Sequence, residues 1–399
     1  MSKPAVLGGE PAFESLLPII RPTIVPFEEL EEDLREIITS GIVTVGPVTR
    51  RLEQLIAEYV GVPSAVGVAN CTSGLMLAIQ ALGLKPGGEV IVPSFTFAAT
   101  VHGVVWNGLV PVFVDSLPGT CGVDPAAVES AITPRTGAVV ATDVFGLPCE
   151  VEVLVSIARG HGLGLIFDSA QSLGATYEGR PVGGFGDAQV FSMSPTKVVT
   201  AIEGGVIVTP QEEMAERLRR GRDYGKARDG MDMEFVGLSA RMSEVHALVG
   251  ERNFRRLGHL VESRHERIAG YQDQLGDIPG LSFQQVPADR TTSGNYMVVF
   301  VDEDGFGLSR DLVYQALAAE NIQTKKYFYP AVHRQTAFAQ WHAGKEPLPV
   351  ADRLSREAIA LPLWSHLDSR AITRVAEAIR SLQDNAAEIR SIPAHASPA

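Results

Sequence analysis

An α/β fold is predicted, with a large domain on a mainly parallel, doubly wound sheet and a smaller C-terminal α+β domain. Three observations predict it. The chain has 399 residues and is 45% hydrophobic, more than one compact domain needs. From about residue 50 to 210, short apolar runs alternate with helical stretches, and repeated β-α-β with apolar strands marks a parallel sheet covered on both faces. Beyond about residue 254 the alternation gives way to fewer, separated elements. The expected division is therefore a large domain with an N-terminal arm (1–254), a small domain (255–389) and a disordered tail (390–399).

In the large domain, strands are expected at 65–68, 89–92, 110–114, 138–142, 163–167, 188–191 and 205–209. Helices at 73–83, 97–107, 124–131 and 150–160 fall between them. The stretches 59–84 and 90–114 contain no Asp, Glu, Lys or Arg and are long enough to raise the question of membrane spans. Pro63, Asn70 and Gly74 break the first, and Pro93, His102, Gly103, Asn107 and Pro111 break the second. Each divides into a strand, a polar turn and a helix, as buried α/β core does.

Arg252 to Gln274 reads as one long connecting helix out of the large domain, with Arg255, Arg256, Arg264 and Arg267 forming a solvated face. A strand at 296–301, a helix at 310–319 and a helix at 370–389 build the small domain. The final ten residues, beginning Arg390-Ser391-Ile392-Pro393, have too little apolar content to order themselves.

Composition excludes several functions. Lys plus Arg total 34 against 47 Asp plus Glu, a formal charge of −13, which opposes non-specific binding to nucleic acid or an anionic membrane. Cys71, Cys121 and Cys149 are odd in number and lack CxxC spacing, so neither a disulfide framework nor a zinc knuckle is expected. A reducing cytoplasm fits them. Glu10 and Glu14 interrupt the N-terminus, and no export signal is read there.

Chemistry concentrates at two strand ends. Asp168, in Phe167-Asp168-Ser169-Ala170-Gln171, closes an apolar strand and emerges at the edge where such sheets bind ligands. A carboxylate there can keep a pyridinium nitrogen protonated, although a helix cap is the plain alternative. Lys197, in Ser192-Met193-Ser194-Pro195-Thr196-Lys197, leaves another strand through a turn, where an amine can form an imine with an aldehyde. Alone it could be a surface lysine; beside Asp168 it gains a partner at a neighbouring strand end.

Asn70-Cys71-Thr72-Ser73-Gly74 joins a strand to a helix, where free amides and the helix dipole favour an anion. Thr72, Ser73 and Ser192 can add hydroxyls, with a plain N-cap as the alternative. Phe97, after the second strand, can cover a flat cofactor or fill the core. Other sites fail on spacing: no GxGxxG follows a strand, Gly221–Lys226 is one residue short of a P-loop and continues with Ala227, and neither HExxH nor GxSxG occurs. No metal site is expected.

Together these segments resemble the DegT/DnrJ/EryC1/StrS sugar aminotransferases, within the fold type I pyridoxal 5′-phosphate (PLP) enzymes. The likeness runs from Gly46-Pro47 and the Asn70–Gly74 turn through residues 92–100 and 168–175 to Ser194–Lys197 and Glu203-Gly204-Gly205. It implies that Lys197 carries PLP as a Schiff base and moves the proton during transfer. Asp168 would pair with the pyridine nitrogen, Gln171 would lie near the phenolic oxygen, Thr72, Ser73 and Ser192 would hold the phosphate, and Phe97 would stack on the ring. In the family, a Gly-x-Asn-x-Arg-Met segment sends its Asn across a homodimer to the partner's phosphate. Here Ser239 stands in that place, with shorter reach.

Relatives with His in place of the lysine are dehydratases, so Lys197 favours amino transfer. The resemblance implies L-glutamate as donor and a nucleotide-linked keto sugar as acceptor. Leu7–Phe13 and Lys326–His333 look most like the subgroup acting at C4 of dTDP-4-keto-6-deoxyglucose. Tyr327 and His333 would line the sugar pocket, and Lys325, Lys326 or Lys226 would meet the diphosphate, unless these are structural or surface residues. Another keto sugar, a keto-cyclitol of antibiotic assembly, or a non-catalytic PLP sensor are the competing functions.

Overall fold

The computed structural model describes residues 3–392. Helices α1 (Glu31–Ser40) and α2 (Pro47–Val60) precede strands β1 (Ser64–Val68), β2 (Glu89–Pro93), β3 (Val110–Val114), β4 (Thr136–Thr142) and β5 (Gly164–Asp168). Between these strands run α3 (Cys71–Ala81), α4 (Ala98–Val105), α5 (Pro125–Ser130) and α6 (Val151–His161). A small hairpin, β6 (Thr176–Tyr177) and β7 (Arg180–Pro181), leads to β8 (Ala188–Ser192), β9 (Gly205–Thr209) and helices α7 (Glu212–Gly221), α8 (Glu244–Phe254) and α9 (Leu257–Leu275).

The seven long strands make one sheet in the order β1-β9-β8-β5-β4-β2-β3. Every pairing from β8 to β3 is parallel, and β9 alone runs antiparallel, to both β1 and β8. Alternate residues feed the two faces, as a pleated strand requires. Val66, Val68, Ala138 and Val140 enter the core beneath α3 and α4, whereas Ala65, Val139 and Ala141 enter the opposite core beneath α2 and α8. The two charge-free stretches are this sheet's strands and helices, and no helix among the described residues is long and apolar enough to cross a membrane.

A third core follows. Strands β10 (Leu281–Phe283), β12 (Met297–Val301) and β13 (Ala358–Leu361) form an antiparallel sheet, while β11 (Arg290–Thr291) joins the small hairpin. Helices α11 (Arg310–Ala319) and α13 (Ser369–Asp384) cover the antiparallel sheet, with α10 (Glu303–Phe306), α12 (Pro349–Glu357) and α14 (Ala386–Arg390) at its margins. The arm ahead of α1 packs Leu7, Phe13, Leu17 and Ile20 on this third core. The Glu320 carboxylate fixes it by accepting from the amides of Ala5 and Ala12, both at 2.7 Å.

Three expectations need correction. The connecting helix is two helices, α8 and α9, separated at Arg255-Arg256. Arg264 is not on a solvated face: it is fully buried, and its guanidinium donates to the carbonyls of Gly294 (3.4 Å) and Asn295 (3.0 Å) and to Ser365 Oγ (3.3 Å). Helical spacing could not show it, because these acceptors lie on loops that fold back over α9. The terminal helix is also divided, at Asn385, and Arg390 ends α14 instead of opening the tail. Of the expected disordered tail, residues 393–399 lie outside the described residues.

Candidate active site

The carboxyl ends of β4, β5 and β8, together with the start of α3, come together around Asp168, with Lys197 and Cys71 near enough for their charges to act on one another. Asp168 is the last residue of β5 and is buried. Its Oδ2 accepts from Thr100 Oγ1 at 2.6 Å and its Oδ1 from the Ala170 amide at 3.2 Å. Thr100 bonds Thr96 Oγ1 at 2.7 Å, and Thr96 bonds Thr142 Oγ1 at 3.0 Å, so a chain of buried hydroxyls ends on the carboxylate. Burial pushes the Asp168 carboxyl up, and the Thr100 and Ala170 hydrogen bonds and the Lys197 charge pull it back.

The neighbouring strand supplies the amine. β8 runs parallel to β5 with Val190 opposite Asp168, and the chain turns after Ser192 so that the Lys197 amide donates to the Ser194 carbonyl at 3.0 Å. Lys197 Nζ lies 5.6 Å from the Tyr296 ring centroid. Burial lowers the amine below the ordinary lysine value, opposed by Cys71, Asp168 and Tyr327. Asp168 and Lys197 thus stand at adjacent strand ends, as the spacing predicted.

The first turn of α3 forms the third side. Asn70 caps it, with Oδ1 accepting from the Ser73 amide (2.9 Å) and its carbonyl from Ser73 Oγ (2.9 Å). The cap leaves the Cys71 and Thr72 amides as first-turn donors for an anion, so the N-cap and anion readings of this segment are compatible. Ser192 Oγ, buried, accepts from the Ser194 amide at 3.4 Å. Glycine is required beside the cradle, because a Cβ on Gly205 would come within 2.7 Å of the Cys71 nitrogen.

Phe97 stands at the N-cap of α4, 56% exposed, with Phe328 6.4 Å away. Its open face suits a planar ligand. Gln171 is buried and accepts from the Phe145 amide through Oε1 at 2.8 Å, which leaves its NH₂ as a donor. The chemistry of this set fits PLP: a carboxylate that no basic side chain but Lys197 approaches among the described residues, an amine with lowered proton affinity, a helix N-terminus flanked by hydroxyls, and an exposed aromatic face.

The expected substrate residues are less uniform. Tyr327 lies at the site, 5.0 Å from Tyr296 and 5.7 Å from Phe328 between ring centroids, and the Lys197 charge acts on its phenol. His333 does not line it: the ring is buried, with Nδ1 bonded to the Ser94 hydroxyl and Nε2 3.5 Å from Asp352. Burial lowers this imidazole to about 4, so it packs behind Ser94 as a neutral ring. Lys326 already meets Asp311 at 2.7 Å and Lys226 meets Asp223 at 2.8 Å. Lys325 is exposed and bonds through its backbone to Ala360. Ser239 is exposed and bridges Asp223, which Arg241 also holds at 2.8 Å.

Thr100, Tyr296 and Asp143 join the site without having been singled out from sequence. Asp143 follows β4 as Asp168 ends β5, so the strand-end rule that found one could have found the other. Thr100 and Tyr296 carry no such signal. No cluster of three or more metal-ligating side chains occurs among the described residues.

The sequence profile of the DegT/DnrJ/EryC1/StrS aminotransferase family matches residues 27–380. UDP-N-acetyl-3-dehydro-alpha-D-glucosamine 3-aminotransferase of Acidithiobacillus ferrooxidans is 34% identical, over 88% of this chain and 93% of that protein. The dTDP-4-amino-4,6-dideoxy-D-glucose transaminase of Shigella dysenteriae is 32% identical, over 92% of this chain and 98% of that protein. Among solved structures, DesI in the presence of its TDP-sugar product superposes with a TM-score of 0.91 at 36% identity, over 97% of this chain and 98% of that one.

Proposed function

The chain belongs to the DegT/DnrJ/EryC1/StrS aminotransferase family, a family of PLP enzymes, and from that premise we propose that it moves an amino group from L-glutamate to C4 of dTDP-4-keto-6-deoxyglucose. The observation that carries this reading is the adjacency of Lys197 and Asp168 at parallel strand ends, facing the first turn of α3. Bound PLP supplies an aldehyde that condenses with amines and a ring that withdraws electrons.

The protein's own groups do the rest. Asp168 would hold the proton on the pyridine nitrogen, steadied by Thr100. Thr72, Ser73, Ser192 and the first-turn amides of α3 would bind the phosphate, Phe97 would stack on the ring and Gln171 would donate to the phenolic oxygen. Lys197 would hold the cofactor at its aldehyde carbon and be freed when the donor amine took its place. Its Nζ would then carry the proton from the donor's Cα to C4′ of the cofactor, and in the second half from C4′ to the sugar C4.

The names of the S. dysenteriae transaminase and of TDP-sugar-bound DesI support a dTDP sugar. The A. ferrooxidans 3-aminotransferase favours a second reading, amination of another nucleotide-linked keto sugar. Tyr327 belongs to the acceptor's side of the site. Lys226 reaches a diphosphate by giving up Asp223, and Lys326 by giving up Asp311. A homodimer, with Ser239 facing the partner's site, and a cytoplasmic location, consistent with three free buried cysteines, complete the proposal. So does a division of the chain near residue 254: the core beneath α2 and α8 ends at Leu260, the third core draws on α9, the residues after it and the N-terminal arm, and the core beneath α3 and α4 takes residues from both sides, with Val298, Phe300 and Leu354 among the later ones.

The test is product analysis. Protein incubated with glutamate and a panel of dTDP-, UDP- and GDP-linked keto sugars and keto-cyclitols is expected to aminate the dTDP-4-keto sugar at C4. Lys197→Ala is expected to lose both turnover and the cofactor absorbance that borohydride fixes to the chain. Wild-type turnover by that variant would refute the assignment.

A further inference from the structure

Behind the site stands a second buried carboxylate that the transfer does not use. The Asp143 amide donates to the Asp168 carbonyl at 3.1 Å, so the two acids are locked side by side through the backbone. Asp143 Oδ2 accepts from the hydroxyls of Ser169 and Ser172, both at 2.7 Å, and Oδ1 accepts from the Cys149 amide at 3.1 Å. Ser169 Oγ in turn accepts from Gln189 Nε2 at 3.0 Å. No salt bridge reaches Asp143 among the described residues, and hydrogen-bond donors alone satisfy it.

These bonds have a direction. Ser169 and Ser172 flank the residues that carry the cofactor contacts: Asp168 just before, Ala170 capping its carboxylate, and Gln171 between them. The same turn is held from the other side, where Ser293 Oγ donates to the Gln171 carbonyl at 2.5 Å. A carboxylate that grips both serines fixes the turn from within, in a place no solvent reaches.

We propose that Asp143 is a positioning residue for the cofactor. Through Ser169 and Ser172 it aims Asp168 at the pyridine nitrogen and Gln171 at the phenolic oxygen, and its buried negative charge helps keep that nitrogen protonated. The inference rests on the reading that Asp168 and Gln171 face PLP. Charges bearing on the pair are few. Lys197 and Cys71 lie near Asp168, and Asp143 raises its carboxyl. Around Asp143 stands the Cys149 thiol, pushed up by burial, with Glu150 and Arg290 beyond it, where Arg290 donates to the Pro148 and Cys149 carbonyls.

Two variants separate charge from geometry. Asp143→Asn keeps the shape and removes the charge, whereas Ser172→Ala loosens the grip on the turn while Ser169 and the Cys149 amide still serve the carboxylate. PLP affinity of the apoproteins, the pH midpoint of the bound cofactor's absorbance, and the melting temperature are measured for each. D143N is expected to bind PLP roughly tenfold more weakly with its midpoint at lower pH, because a nearby anion that favoured cationic forms is gone. The serine variant is expected to bind more weakly with the midpoint unmoved. A folded D143N with wild-type affinity and midpoint, altered only in melting temperature, would overturn the proposal. Should D143N fail to fold, wild-type affinity in the serine variant overturns it instead. If the wild-type apoprotein takes up no PLP, the cofactor reading fails and Asp143 is not at fault.

Discussion

Lys197 is an amine set among groups that disagree about its proton. Burial favours the neutral form, with Arg264 adding to that, while Cys71, Asp168 and Tyr327 favour the charged one, and the balance falls below the ordinary lysine value. A lowered affinity means more free amine near neutrality, which is the form that attacks an aldehyde. Uptake of PLP by the apoprotein, followed by absorbance, is therefore expected to speed up with pH and to level off below 10.5, the ordinary value. A midpoint at the ordinary value would show that the pocket does not tune the amine. The sign for stability follows. The unfolded chain holds the proton more tightly, so the apoprotein gains stability as pH rises through the window between the lowered and ordinary values. At this scale Asp168 and Lys197 were legible because each closes or follows an apolar strand. Thr100 was not, since its hydroxyl meets Asp168 only once β2 and β5 are brought near each other through β4.

Helix α3 shows how an element builds a site from its neighbours. Its first turn offers amides to an anion because Asn70 caps it without using those of Cys71 and Thr72, and because β9 passes close enough to brace it. That approach depends on Gly205, where a Cβ would sit 2.7 Å from the Cys71 nitrogen and 2.8 Å from the Asn70 carbonyl carbon. Both contacts are backbone, so the clash cannot be relieved by a rotamer change. Gly205→Ala is expected to displace the turn and weaken PLP binding by about tenfold or more, a change of roughly 1.4 kcal/mol, measured by titrating the apoprotein. Wild-type affinity would mean that the turn is not the phosphate cradle. The strand and helix alternation was readable from apolar runs, and so was the turn. The reversal of β9 was not, because an apolar run carries no direction, and the break between α8 and α9 falls at two arginines with no Gly or Pro to announce it.

The whole molecule leaves apolar surface on the segment that is bonded to the one holding Ser239. Ile42 is 51% and Val43 47% exposed, with Ile38 exposed a turn earlier on α1. This segment is stitched to the one that holds Ser239: the Glu244 amide donates to the Val43 carbonyl at 2.9 Å, Thr44 bridges Ser243, and Arg241 bridges Val68 at the end of β1. Aliphatic side chains exposed as a group are costly in water unless covered, and a second copy of the chain is the cover proposed here. Composition could not reveal this patch, since Ile42 and Val43 read like any other apolar pair before their neighbours are placed. Wild-type protein is expected to sediment as a dimer. Val43→Glu, which sets a charge into the patch without touching Lys197, Asp168 or α3, is expected to shift the equilibrium toward monomer and to weaken PLP binding along with it. Dissociation with unchanged PLP affinity would show that each site is complete within one chain. A Val43→Glu protein that stays dimeric would place the interface elsewhere on the surface.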